Sequence, residues 1–313
     1  MDIGVVLSGP HPGQGNYVDA VVARAREAEA AGVAAGWFGQ RFDYDAAALA
    51  GIVGHAVPRL ALGTSAIPVF ARHPVLVAGQ ALTAQAATRG RFQLGLALGG
   101  KALMESAFGV RFERPVDRLR EFLTALRPLL VDGAVDFRGE LLSAAPRLPV
   151  ALPGAEAVPP LLVAAMGPRA LAVTGELADG TLPFLAGPRA LGEWIVPAIT
   201  AAAEAAGRPA PRVVALVPAV VTEDVARVRE VATEELAFYE SIPSYRRAIE
   251  LSGATRAGEL AILGDEETVA AGIRSYRDAG ATEVVLTQTG MGGEEARRRT
   301  WRLAGRLSGT GLG

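Results

Sequence analysis

Short runs of consecutive apolar residues alternate along the chain with longer stretches in which apolar positions recur every three to four residues. The runs "IGVVL" (3–7), "AAGWFG" (34–39), "LALGTSAI" (60–67), "FQLGLAL" (92–98), "PLLVAAM" (160–166), "GTLPFL" (180–185), "VVALVPAVV" (213–221) and "EVVLTQT" (283–289) predict eight strands. Most are apolar throughout, as parallel strands covered on both faces are. Between them lie amphipathic helices. In "NYVDAVVARAREAEAAG" (16–32), Val18, Val21, Val22, Ala25 and Ala28 share one face, and Arg24, Arg26, Glu27 and Glu29 occupy the others. Eight β/α units in a chain of 313 residues favour an α/β fold of the (β/α)8 TIM-barrel type, with an open doubly wound sheet as the alternative.

Two places interrupt the rhythm. An extra helix over about 115–132 precedes a Pro- and Gly-rich stretch, 133–160, that reads as a short hairpin. Together with the loop 101–114 this makes an insertion at about 101–158 in a single 1–313 domain. Before the eighth strand, a helical region from about Glu223 to Leu251 continues into "GDEETVAAGIRSYRDAGA". The last helix carries Arg297, Arg298, Arg299, Arg302 and Arg306, which read as its solvated face.

Composition narrows the partners. A net charge of −2 and a pI near 6.0 give no field to attract nucleic acid or anionic membrane, so a small-molecule substrate is the expectation. The opening "MDIGVVLSGP" is too short in its apolar part for a signal peptide or a membrane span, which suggests a cytoplasmic protein. With no cysteine, disulfides, thiolate nucleophiles and cysteine-bound metals are absent. His11, His55 and His73 form no ligand pattern, so no metal is expected. The segment "GLALGGKA" (95–102) fits GxxxxGK, but Ala102 stands where a P-loop needs a hydroxyl for magnesium. An NTPase is thereby disfavoured against a strand whose glycines permit close approach at its end.

Barrel enzymes place their sites at the carboxyl ends of the strands. Those ends carry Gly39, Gln40 and Arg41, then Ser65 to Pro68, then Ala97 to Gly100, and Met166 with Gly167. Gly167 and Pro168 open a helix whose free N–H groups suit an anion.

The segments "LGTSAIPVFARHP" (62–74), "TRGRFQLGLALG" (88–99), "LLVAAMGPRALAVTGELADG" (161–180) and "GDEETVAAGIRSYRDAGATEVVL" (264–286) together resemble the luciferase-like monooxygenase superfamily, most of all its coenzyme F420-dependent oxidoreductases. The resemblance implies a bacterial luciferase-like barrel with an insertion, a homodimer, and hydride transfer with F420. It places a non-prolyl cis peptide at Ser65 and Ala66 behind the cofactor ring, Ala97 and Leu98 along the ring, and Ala164, Ala165, Met166, Gly167 and Pro168 near the phosphate and ribityl chain. Gly39 belongs to the same cofactor-binding set. Arg72 and His73 read equally well as a structural tie. Alcohol-oxidising relatives have an acidic residue and a histidine base where this chain has Gln40 and Arg41. Arginine cannot act as that base, because it stays protonated. The pair is therefore expected to serve the opposite direction, reduction of a C=C, C=N or C=O acceptor, with Gln40 bonding cofactor or substrate and Arg41 polarising a carbonyl or anchoring an anion. A surface pairing of Arg41 with Asp43 or Asp45 is the plainer reading. FMN in place of F420, in a monooxygenase, and a non-catalytic cofactor-binding barrel are the alternatives.

Overall fold

The computed structural model describes residues 1–7 and 15–308, so His11 lies outside the described residues. The strands are β1 (Asp2–Val6), β2 (Ala35–Phe38), β3 (Ala61–Thr64), β4 (Ile67–Pro68), β5 (Phe92–Ala97), β6 (Phe137–Arg138), β7 (Ser143–Ala144), β8 (Leu161–Ala164), β9 (Gly180–Thr181), β10 (Arg212–Val221), β11 (Ile262–Gly264) and β12 (Glu283–Thr287). The helices are α1 (Tyr17–Ala30), α2 (Ala46–Ala56), α3 (Pro74–Ala87), α4 (Lys101–Phe108), α5 (Pro115–Val131), α6 (Pro168–Leu177), α7 (Pro188–Ala190), α8 (Val196–Ala205), α9 (Val225–Glu240), α10 (Pro243–Leu251), α11 (Glu266–Asp278) and α12 (Glu294–Leu307).

Parallel pairing runs β1–β2–β3–β5–β8–β9–β10–β12 and closes through β12 onto β1. This is the (β/α)8 barrel, with β4 continuing β3 along β5. The eight predicted strands are all present. The third is divided at Ser65–Ala66, and the sixth shrinks to two residues plus a bridge from Phe184 to Leu216. A ninth strand, β11, was not expected. It takes the upper edge of β10 and divides the helical region that the sequence pattern ran together. The hairpin in the insertion is β6 paired antiparallel to β7.

Local chemistry explains the helices. Asn16 caps α1 by accepting from the backbone N–H of Val18 and Asp19, and Val21, Ala25 and Ala28 are buried, as their spacing predicted. Inside the barrel, Ala35, Trp37, Leu162, Leu182, Val214, Leu216 and Val285 interlock. Trp37 needs glycines on the neighbouring strands. A Cβ on Gly63 would stand 2.5 Å from its ring, and one on Gly4 2.9 Å from Nε1.

Arg298, Arg302 and Arg306 are exposed on α12, as the sequence reading has them, whereas Arg297 departs from it. Arg297 is buried, held by Glu27 at 2.8 Å and Glu294 at 2.7 Å, with its guanidinium 4.3 Å from the Trp301 ring centre. Both carboxylates meet the same Nη2 and the guanidinium lies over the Trp301 ring, so the buried charge is not isolated, although Nε and Nη1 have no partner among the described residues.

Asp179 fastens α5 and the segment after α8 to the foot of β8. Its carboxylate accepts from Arg127 at 2.9 Å, from Arg208 at 2.8 Å and from the backbone N–H of Leu161 at 2.9 Å. Asp179→Ala is expected to cost about 2–3 kcal/mol, because three donors, two of them charged, lose one acceptor. Urea unfolding measures it; a loss below about 0.5 kcal/mol would remove Asp179 from the account of stability.

Candidate active site

The chain leaves β2 through Gly39 and turns into α2 along a loop that bonds to itself. Gln40 Nε2 donates to the carbonyls of Arg41 at 2.6 Å and Tyr44 at 2.5 Å, and its Oε1 accepts from Ala46 N at 3.1 Å and Arg72 Nη2 at 3.1 Å. Both amide hydrogens are thus committed within the loop, and the carbonyl oxygen to Ala46 and to Arg72 beyond it. Gln40 thereby orders the chain between β2 and α2.

Arg41 lies at the rim. Its Nε and Nη2 each reach an Asp43 carboxylate oxygen at 2.9 Å, the plainer of the two sequence readings. That bond raises the Arg41 pKa and lowers that of Asp43. Tyr44 stacks on Tyr17 with ring centres 5.4 Å apart, and its hydroxyl donates to the Gly39 carbonyl at 2.8 Å. Burial, reinforced by Tyr17, pushes the Tyr44 phenol well above its ordinary range and keeps it protonated.

Beside this loop the Ser65–Ala66 peptide is cis, and Ser65 Oγ is buried without a hydrogen-bond partner among the described residues. Next to it is a cavity of about 540 Å³ over the ends of β2, β4 and β5. Of the residues singled out in the sequence, Gln40, Arg41, Ala66, Pro68, Arg72, Ala97 and Gly99 line it. Among the described residues, Gly39 has only the Ser65 carbonyl near the place of a Cβ, at 3.7 Å. Leu98 is half-buried against the core.

The second group does not reach the cavity. Ala164 belongs with Ala66 to the packing of the barrel interior, Ala165 is buried with its carbonyl accepting from Thr181 Oγ1 at 2.9 Å, and Met166 is half-buried. Gly167 and Pro168 begin α6, and a Cβ on Gly167 would meet open space. Arg72 and His73 are structural: Arg72 bonds Gln40 and Asp45, while His73 caps α3 and contacts the Ser143 carbonyl at 2.9 Å. The GxxxxGK segment is no phosphate loop at its first glycine. Gly95 exchanges both backbone hydrogen bonds with Thr64 Oγ1, each at 2.9 Å, inside the barrel wall.

Sequence reasoning missed the apolar side of the cavity: Phe42 from the β2 loop, and Leu103, Met104 and Phe108 from α4. The segment 101–114 was read as a loop, yet 101–108 is helical between two left-handed glycines, Gly99 and Gly109.

A closed (β/α)8 barrel with a cavity over its strand ends has the active-site face of that class of enzymes. The chain belongs to the luciferase-like monooxygenase family, whose model matches residues 1–283. A Mycobacterium tuberculosis protein named "Putative coenzyme F420-dependent oxidoreductase Rv3520c" is 32% identical over 161 residues, 45% of each chain. The chain spans no more than 61% of the length of the mycobacterial curated relatives it matches. Among solved structures, coenzyme F420-dependent tetrahydromethanopterin reductase from Methanopyrus kandleri matches with a TM-score of 0.76 and 21% identity over 97% of both chains. The oxygenating constituent of 3,6-diketocamphane monooxygenase from Pseudomonas putida, a complex with FMN, matches with a TM-score of 0.78 and 14% identity over 98% of this chain and 97% of that one. At these identities the structures speak for the fold.

Proposed function

We propose that the protein is an F420-dependent oxidoreductase that reduces a small organic acceptor at a C=C, C=N or C=O bond. The observation that carries the reading is the cradle at the strand ends: Gly39, Ala66 and Ala97 offer no bulk, and the buried Ser65 Oγ has no partner among the described residues. Small side chains admit a flat ring close to the backbone, and an unpaired buried hydroxyl is satisfied by a polar ring edge. Ser65, Ala66, Ala97 and Leu98 would hold the ring. The open start of α6 at Gly167 and Pro168, with Ala164 to Met166 leading into it, would hold the phosphate and ribityl chain through free backbone N–H groups. When bound in its reduced form, F420 supplies the hydride.

The chain's own residues orient and polarise. Arg41 spends its Nε and Nη2 on Asp43, and its Nη1 has no hydrogen bond among the described residues. That edge is the cavity's donor to an acceptor oxygen or nitrogen as negative charge builds there. Tyr44 already donates to Gly39, and in this reading the proton that completes the reduction is drawn from solvent at the rim. Arg41→Ala is expected to lower turnover with reduced F420 roughly 100-fold. F420 affinity should stay within about threefold, since Arg41 touches the acceptor rather than the ring. A variant that loses affinity at unchanged turnover would move Arg41 to the cofactor.

The rival reading is an FMN-dependent monooxygenase on the same barrel, in keeping with the fold shared with the diketocamphane enzyme. The proposal includes a cytoplasmic homodimer, tested by sedimentation; no helix among the described residues is long and apolar enough to cross a membrane.

A further inference from the structure

We propose that the acceptor taken by this cavity is neutral and largely apolar, a ketone or enone bearing an alkyl chain or aromatic ring. It is clamped between α4 and the β2 loop. The inference rests on the reading above, in which the cofactor ring lies at Ala66 and Ala97.

The charges come first. Among the described residues, every charged side chain lining the cavity is already paired: Arg41 with Asp43 at 2.9 Å, and Arg72 with Asp45 at 3.3 Å. Lys101 begins α4 but does not line the cavity. An anionic acceptor would find no uncompensated cation among them, and its carboxylate or phosphate would be desolvated without return. The sequence expectation that Arg41 anchors an anion is therefore replaced by a single hydrogen bond to a neutral oxygen or nitrogen.

Apolar surface supplies the rest. Phe42 is 69% exposed, Phe108 43% and Leu103 41%, and all three line the same opening. The Phe42 and Phe108 ring centres lie 5.9 Å apart, with the ring planes tilted by 51°. Large apolar side chains gathered around one opening mark a binding surface, whereas scattered ones do not. Helix α4 presents Leu103, Met104 and Phe108 to the cavity, and Met104 is its one buried residue. Gly99 at φ 82° and Gly109 at φ 64° bracket it. It is anchored lightly, and its apolar face covers whatever occupies the space. A cavity of about 540 Å³ is large enough for an acceptor with a chain of several carbons beside the ring.

The test uses the purified full-length chain without added cofactor and the neutral dye Nile red, displaced by 2-butanone, 2-hexanone, 2-octanone and 2-decanone, and separately by octanoate. Displacement should strengthen about fourfold per methylene along the lower part of the series. Octanoate should fall short of 2-octanone by about tenfold or more. Phe42→Ser with Phe108→Ser should weaken 2-octanone by about tenfold at an unchanged melting temperature, since both side chains are exposed. Leu103→Ser serves the same end if the double variant fails to fold. A series flat in chain length, or octanoate binding as well as the ketone, overturns the inference. So does a double variant that keeps its ketone affinity but turns a dimer into a monomer, which would assign the aromatic patch to a second copy of the chain. Because no cofactor is present, the answer stands apart from the identity of the cofactor, which is read in its own titration.

Discussion

Ala97→Phe is expected to lower cofactor affinity by more than about 100-fold while the barrel stays folded, a difference of about 2.7 kcal/mol. Ala97 ends β5, pairs with Pro68 on one side and Ala164 on the other, and lines the cavity with Ala66. Its side chain is only half-buried, so a phenyl ring grows into the open space rather than into the wall. That space is where the account lays the cofactor ring, and the cost falls in the range for overfilling a packed site. Calorimetric titration reads the affinity and circular dichroism the fold. Unchanged affinity would place the ring elsewhere and dismantle the cradle built on Gly39, Ser65, Ala66 and Ala97.

Two residues earlier on the same strand the expected effect is on folding itself. Gly95→Ala should cost more than about 3 kcal/mol and yield little soluble protein. A Cβ there would stand 1.8 Å from the Thr64 carbonyl oxygen and 2.6 Å from Leu182 Cδ1. The carbonyl belongs to β3, whose neighbouring residues are in register with β5, so it cannot retreat without parting the strands. Both backbone groups of Gly95 are also tied to Thr64 Oγ1. The glycine that suggested a phosphate loop is required by the neighbouring strand. Soluble expression and urea unfolding check this, and a variant as stable as the parent would mean that β3 and β5 do not approach this closely.

What could be read from the chain follows from what reaches a linear pattern. The barrel strands are covered on both faces, so their apolar runs stand out, and α1 announces itself through Asn16 and the spacing of Val21, Ala25 and Ala28. The strand β11 does not, since Ile262–Gly264 is three residues long and gains its pairing from a distant edge of β10. Helix α4 hides for a related reason: eight residues with one buried side chain have little periodicity to show. The resemblance places a cis peptide at Ser65–Ala66, which the structure has, and it names Ala66 and Ala97, which line the cavity. Gln40 also accepts from Arg72, 32 residues away, and that pairing leaves no trace in local sequence. The aromatic rim is likewise a product of folding, because Phe42 and Phe108 meet only when α4 is laid across the end of β5.

The central claim is that the cradle at the strand ends takes F420 and works as a reductase site. Its most direct test is a pair of calorimetric titrations of the purified protein, one with F420 and one with FMN. The account predicts micromolar or tighter binding of F420 and FMN binding weaker by at least about tenfold, a gap of about 1.4 kcal/mol. Tight binding of FMN with none of F420 would contradict it and move the protein to the monooxygenase reading.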